Sequence, residues 1–203
     1  DKKAISERED LIWESFKAGN QSSLTYIFRE YSNFLFNYGC QFTSDRNLVK
    51  DCLQDLFVDL IKHRKNLKAT TSIKYYLMKS FRNKLAATVS KNKKREQAEQ
   101  KKEGDKLFLF SISAEVKMIN GQLGREKQKL IEKKLNELPD LQREALLLYF
   151  YEGLKYHQIA DLLGIKVKSS RALIYRSLES LKDLLSPYKD IILFFLLSLH
   201  LLF

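Results

Sequence analysis

Three groups of side chains in this 203-residue chain have the types and spacing to do chemistry, and all three would act by charge and stacking rather than by covalent reaction. Asp51, Asp55 and Asp59 recur at four-residue steps. On a helix that spacing puts three carboxylates on one face, a ridge suited to a cationic protein partner. Immediately after the ridge, residues 62–95 hold twelve Lys and Arg and no acid, with Tyr75 and Tyr76 among the cations. A solubilising surface would mix signs. Cations that track phosphates, together with aromatic faces for unstacked bases, are the equipment for capturing single-stranded nucleic acid. Tyr76 can also join an apolar stripe, so Tyr75 is the better stacking candidate. The third group lies between 155 and 176, where Lys155, Lys166, Lys168, Arg171 and Arg176 face a single acid, Asp161.

Catalytic chemistry finds no support. The chain has no glycine-rich phosphate loop, no nucleophile elbow and no paired-histidine metal helix, and His63, His157 and His200 are isolated from one another. Cys40 and Cys52 fit neither a disulfide framework nor a metal site. No catalytic residue, metal or cofactor is expected, and a reducing, cytoplasmic setting follows. The first ten residues are charged where a secretory signal needs an apolar run, so no export is implied.

The charge distribution carries more information than its total. The net charge of +11 gathers in residues 62–95, since residues 1–61 hold seven basic and ten acidic side chains and residues 96–203 hold seventeen and fifteen. A polyanionic partner is implied. Two Pro and seven Gly leave few turn-makers, which disfavours a many-stranded sheet and predicts an all-α chain of long helices.

Four helices are expected in an N-terminal domain. Leu11, Ile12 and Phe16 read as a first helix stopped at Gly19. A second runs from Ser22-Ser23 through Leu24, Ile27, Phe28, Tyr31, Leu35 and Tyr38, with the aromatic density of a core. The third, from Asp45 to about Arg64, carries a double stripe, Leu48, Cys52, Leu56, Leu60 beside Val49, Leu53, Phe57, Ile61. The fourth, from about Ser72 to Lys94, buries Ile73, Leu77, Phe81 and Leu85 and turns Lys74, Tyr75, Lys79, Arg82 and Asn83 elsewhere. Residues 96–126 are too long and too polar for an ordinary loop and read as a linker with an apolar island at 107–110. Periodicity returns at Leu130. Leu138-Pro139-Asp140 restarts a helix that Gly153 ends. The run from Tyr156 to Ile165 then gives a short helix with small Ala160 inside it and a turn at Gly164, followed by a long helix carrying Ile174, Leu178, Leu181 and Leu185. That is the pattern of a helix-turn-helix.

These residues resemble a family. Lys50-Asp51-Cys52-Leu53-Gln54-Asp55-Leu56-Phe57 is similar to the region-2 signature of the extracytoplasmic-function group of bacterial sigma-70-type RNA polymerase sigma factors. Ser72-Ile73-Lys74-Tyr75-Tyr76-Leu77 with Arg82-Asn83 is similar to that group's next helix. Leu138-Pro139, Gln142-Arg143-Glu144, Gly153-Leu154, Tyr156, Ile159-Ala160-Asp161 and Gly164-Ile165 resemble its region 4. The resemblance implies a non-enzymatic initiation factor with region 2 over 8–95, a linker over 96–126 and region 4 over 127–186; the extra apolar tail over 187–203 lies outside the family pattern. It implies that Asp51, Gln54, Asp55 and Phe57 meet the beta-prime coiled coil of core RNA polymerase, and that the beta flap and promoter DNA are further partners, with an anti-sigma factor as another. At the −10 element it implies Asn66, Lys68, Thr70, Lys74, Tyr75, Lys79, Arg82 and Asn83, with the loop 66–71 accepting a flipped-out base. At the −35 element it implies Lys166, Lys168, Ser169, Arg171, Tyr175 and Arg176. Two positions depart from the family pattern: Ser170 stands where an aliphatic residue is usual, and Leu173 where Arg is usual.

The rival reading is a polymerase-independent helix-turn-helix regulator whose N-terminal domain dimerises or senses a signal. The segment 191–203, apolar except for Ser198 and His200, spans about 20 Å as a helix, short of the roughly 30 Å of a bilayer core. Its expected place is against the chain itself, on the island 107–110 or the outer helix faces, rather than in a membrane.

Overall fold

The computed structural model describes residues 2–70, 72–99 and 122–188, with side chains from 8 to 92, apart from 71, and from 129 to 188. The tail 191–203 and the island 107–110 lie outside them, and so does Thr71. The described residues are helices joined by turns, with no strand among them. They divide into two compact units, Asp1–Gly104 and Asp105–Phe203.

The N-terminal unit holds α1 (Lys2–Lys17), α2 (Gln21–Gly39), α3 (Arg46–Lys62), a 3-10 turn over Arg64–Asn66, and α4 (Ile73–Glu99). Local chemistry starts α3 at Asp45, as the sequence suggests, and starts α2 at Gln21, just before the expected Ser22-Ser23. Asn20 caps α2 by accepting from Ser23 N–H at 3.0 Å, and Asp45 caps α3 by accepting from Asn47 and Leu48 N–H at 3.0 and 3.1 Å; each cap satisfies donors that have no partner inside the helix. The core gathers Trp13 and Phe16 of α1, Ile27, Leu35 and Tyr38 of α2, Val49, Cys52, Leu56 and Leu60 of α3, and Ile73, Leu77, Met78, Phe81 and Leu85 of α4. Gly39 sits where α2, α3 and α4 converge: a Cβ there would stand 2.7 Å from Val49 Cγ1 and 2.9 Å from Phe81 Cε1.

Two expectations about this core are corrected. The aromatic run of α2 is not all core, since Phe28 is 50% exposed. The second stripe of α3 is not all core either: Leu53 is half-buried and Ile61 is 37% exposed, whereas Val49 and Phe57 are buried. A surface helix buries an apolar stripe rather than its whole apolar set. The stripe on α3 is wide enough that its far edge faces outward.

The C-terminal unit holds α5 (Gln122–Glu137), α6 (Asp140–Leu146), a π-helical turn over Leu147–Tyr151, α7 (Tyr156–Leu163) and α8 (Val167–Leu185). Pro139 stands one residue before α6, as its N-cap, and its carbonyl accepts from Arg143 N–H at 3.0 Å. Arg143 is 1% exposed. Its Nε donates to Leu135 O at 3.0 Å, and its Nη2 donates to Leu138 O at 2.7 Å and to Asp140 Oδ1 at 3.0 Å. One buried guanidinium thus gathers two carbonyls where α5 ends, that of Leu135 already accepting from Leu138 N–H at 3.2 Å, and charge-assisted bonds of this kind are the strong ones. Gly164, at φ +68°, turns the chain between α7 and α8 in the left-handed region that glycine enters without steric cost.

Candidate nucleic-acid interface

The cationic face of the N-terminal unit is built on α4 and on the irregular loop that enters it. Ile73, Leu77, Phe81 and Leu85 are buried as their spacing predicts. Tyr75, Lys79 and Arg82 are therefore carried to the half-buried flank and Asn83 to solvent. Lys74 lies over the ring of Phe34 with Nζ 4.6 Å from its centroid, and Arg82 lies 6.0 Å from that of Phe42, so aromatic faces of α2 and of the turn after it seat two of the cations. Tyr76 packs on Trp13 with centroids 5.0 Å apart, which leaves Tyr75 as the stacking candidate of the pair.

The loop itself is tied on both sides. Trp13 Nε1 donates to Lys68 O at 2.9 Å. Thr70 Oγ1 donates to Ser72 O at 3.0 Å and accepts from Ser72 N–H at 3.3 Å. Ser72 Oγ accepts from Tyr75 N–H at 3.2 Å, as an N-cap of α4. The first N–H of α4, that of Ile73, reaches across to Glu9 Oε2 at 3.2 Å, while Tyr31 O–H donates to Glu9 Oε1 at 2.8 Å. Burial and this carboxylate hold the Tyr31 hydroxyl protonated far beyond the usual tyrosine range. Asn66 and Lys68 remain exposed and Thr70 half-buried.

The acidic ridge is present, with one change. Asp51 and Asp55 are exposed, but Asp59 accepts from Lys84 Nζ of α4 at 2.8 Å, and that bond lowers the aspartate pKa and raises that of the lysine. Gln54 is exposed and Phe57 is buried, edge-on to Phe28 with centroids 4.9 Å apart. Beside the ridge, Leu24 and Phe28 of α2 and Leu53, Phe57 and Ile61 of α3 line an apolar groove of about 530 Å³.

In the C-terminal unit the helix-turn-helix is closed by a small residue. Ser170 is fully buried where α8 meets α7, and its Oγ lies 2.8 Å from both Tyr156 O and Val167 O. The hydroxyl uses a carbonyl at the start of α7 that an aliphatic side chain would leave without this partner. Leu173 is buried as well, so the position where Arg is usual serves packing here. Lys166, Lys168, Ser169, Arg171, Tyr175 and Arg176 are all exposed, with Tyr175 at 60%. Arg171 lies over the Tyr156 ring at 5.0 Å, and that ring in turn stacks on Tyr149 at 5.2 Å and 18°. Such a layer fixes the guanidinium at the mouth of the recognition helix, the position from which a helix in a major groove meets phosphate or a base edge.

Several residues that shape these surfaces escape a reading by motif. Trp13 is the one tryptophan in the chain, and a buried indole N–H calls for an acceptor, which is a general signal but names no partner. Glu9 sits in a mixed-charge helix with nothing to mark it. Phe28 reads as core by period, and the Tyr149–Tyr156 stack depends on the π-helical turn that follows Leu146. Among the described residues no group of three His, Cys, Asp or Glu is placed to hold a metal, and no helix is long and apolar enough to cross a membrane.

A cationic helix-turn-helix in one unit and a cation-aromatic helix beside an acid-edged groove in the other suit a nucleic-acid-binding class of protein, and comparisons with known proteins point the same way. The family described as sigma-70, region 4, matches residues 128–181. The ECF RNA polymerase sigma factor SigM of Bacillus subtilis (strain 168) is 25% identical over 158 residues, covering 78% of this chain and 92% of SigM. In fold, the chain is similar to CnrH, solved in complex with the cytosolic domain of CnrY, at 18% identity and a TM-score of 0.58, covering 88% of this chain and 97% of that one. It is also similar to the sigma factor RpoE solved with the anti-sigma factor NepR from Bartonella quintana, at 20% identity and a TM-score of 0.57, covering 82% and 96%. Residues 128–181 thus match sigma-70 region 4, and over most of its length the chain is similar to an extracytoplasmic-function sigma factor, a likeness that supports a role in transcription initiation.

Proposed function

We propose that this chain binds core RNA polymerase through its N-terminal unit and directs it to promoters through both units, acting in the cytoplasm without enzymatic activity of its own. Asp51, Gln54 and Asp55 form the charged edge that meets the beta-prime coiled coil, and Phe57, buried behind Phe28, supports the neighbouring groove wall rather than presenting a free ring. Region 2 over 8–95 takes the −10 element with the loop 66–71 and the α4 residues Lys74, Tyr75, Lys79, Arg82 and Asn83. Region 4 over 127–186 meets the beta flap and lays α8 in the major groove at the −35 element, with Lys168, Ser169, Arg171, Tyr175 and Arg176 outward.

The observation that supports this reading best is the pairing of two cationic surfaces of different design in one chain: a rigid recognition helix suited to duplex, and a loop with aromatic and cationic neighbours suited to separated strands. An ordinary duplex-binding regulator has no use for the second. An anti-sigma protein is proposed as a further partner on the likeness to CnrH and RpoE, each solved with a partner protein.

Run-off transcription with core polymerase on a genomic library tests the proposal. Specific transcripts that require both proteins are the expected result. Stable binding of a duplex operator by the protein alone, with no transcript in the presence of core, would favour the regulator instead.

A further inference from the structure

The loop proposed to receive an unpaired base is not held by the helices that flank it alone. Glu9 and Trp13 stand four residues apart, on one face of α1, and reach sequence positions 64 and 55 residues away. Trp13 fixes the Lys68 carbonyl in mid-loop, and its ring packs on Tyr76 in the first turn of α4. Glu9 supplies the acceptor for the first amide of α4 and is itself held by Tyr31. A carboxylate at that position also complements the positive end of the helix dipole. Between these two ties the described residues show the Thr70–Ser72 turn, and the loop's outward side carries exposed Asn66 and Lys68.

We propose that Glu9 and Trp13 are positioning residues that preform the loop 66–70 and the first turn of α4 for the unpaired −10 strand, so that α1 serves strand capture without touching DNA. This rests on the sigma-factor reading given above. A loop already in its binding conformation loses less conformational freedom when a base enters. Trp13 meets the backbone of Lys68 and not its charge, and neither residue adds or removes an outward cation, so the ties affect the capture of separated strands and leave the charge available for electrostatic approach to duplex unaltered.

The test uses the full chain assembled with core polymerase and a fluorescent single-stranded oligonucleotide carrying the −10 sequence of a promoter identified by run-off. Trp13→Phe keeps an apolar ring and removes the N–H donor; Glu9→Gln keeps the volume and removes the charge and one acceptor oxygen. Each is expected to weaken strand binding about three- to tenfold, the range that one hydrogen bond commands. Permanganate reactivity of the opened promoter falls in proportion, while core affinity stays within about twofold and the salt dependence of strand binding is unchanged because no cation is lost. Strand binding equal to wild type in both variants overturns the proposal. So does a parallel loss of core affinity, strand affinity and melting temperature, the mark of a role in folding only. Should Trp13→Phe fail to fold, Glu9→Gln carries the test, since Glu9 is only half-buried. A wild-type protein that opens no promoter with core rejects the sigma-factor reading and this proposal with it. A wild-type protein that opens promoters beside silent variants rejects the positioning role alone.

Discussion

The loop before α4 and the recognition helix α8 both carry cations on an outward face, yet they are held in opposite ways. At α8 the ties are short in sequence: Ser170 bonds to carbonyls three and fourteen residues back, and Gln158 accepts from Lys155 N–H at 2.9 Å to start α7. At the loop they span 55 and 64 residues. A helix brings its own backbone bonds to its binding face and needs neighbours only to fix its angle. An irregular loop has no ladder of its own, so its shape comes from whatever distant element supplies acceptors and donors. The surface proposed to face duplex is a local construction, and the one proposed to face separated strands depends on closure of the whole N-terminal unit.

The largest expected effect concerns the local construction. Arg143→Met removes the charge-assisted bonds to the Leu135 and Leu138 carbonyls and to Asp140, leaving Leu135 O with only the Leu138 N–H, and should destabilise the C-terminal unit by about 3 kcal/mol. Hydrogen exchange should rise across 129–185 and not across 46–92; a rise in both would break the division into independently held surfaces. Next comes Gly39→Ala, whose added methyl meets Val49 and Phe81 and should cost about 1–3 kcal/mol in the N-terminal unit. Because Val49 of α3 and Phe81 of α4 must give way to admit it, promoter opening should fall along with protection across 46–92. Ser170→Ala removes one tie at the helix crossing and should cost about 1 kcal/mol. Its −35 duplex affinity should drop while binding of a −10 single strand in the polymerase complex stays at the wild-type value.

Smaller again is Lys168→Ala, which should leave stability within about 0.5 kcal/mol and reduce the salt slope of duplex binding by about one. The smallest effect is expected at Asp59, whose bond to Lys84 lies at the surface. The aspartate pKa is lowered by the bond, so its contribution is present above the ordinary aspartate range and lost as pH falls through the lowered value. The lysine pKa is raised, so its share is present below the ordinary lysine range and lost as pH rises through the raised one. Melting of Asp59→Asn and wild type should therefore coincide at both extremes of pH and differ, slightly, only between them.

Much of this molecule was legible along the chain because its helices obey period and cap chemistry. The buried stripe of α4, the start of α3 at Asp45, the turn at Gly164 and the outward cations of α8 are each set within a few residues, where composition and spacing act directly. What period could not decide was which edge of a wide apolar stripe would find a partner. Phe28, Leu53 and Ile61 carry the same hydrophobic signal as their buried neighbours, and they line an open groove because no further helix of the N-terminal unit covers them among the described residues. Nor could it decide how Lys74 and Arg82 would be seated, since Phe34 and Phe42 reach them from α2 and the turn beyond it.

The sequence by itself determined that this is an all-helical, cation-rich chain with a basic aromatic helix in its N-terminal half and a helix-turn-helix in its C-terminal half, because charge, period and turn residues are properties of neighbours in the chain. Only the tertiary structure decided that Glu9 closes the first amide of α4, that Trp13 holds the loop at Lys68, and that a serine can stand where an aliphatic residue is usual. Those outcomes depend on which buried donor meets which acceptor once helices pack, and hydrogen-bond complementarity between distant segments leaves no periodic trace in either segment.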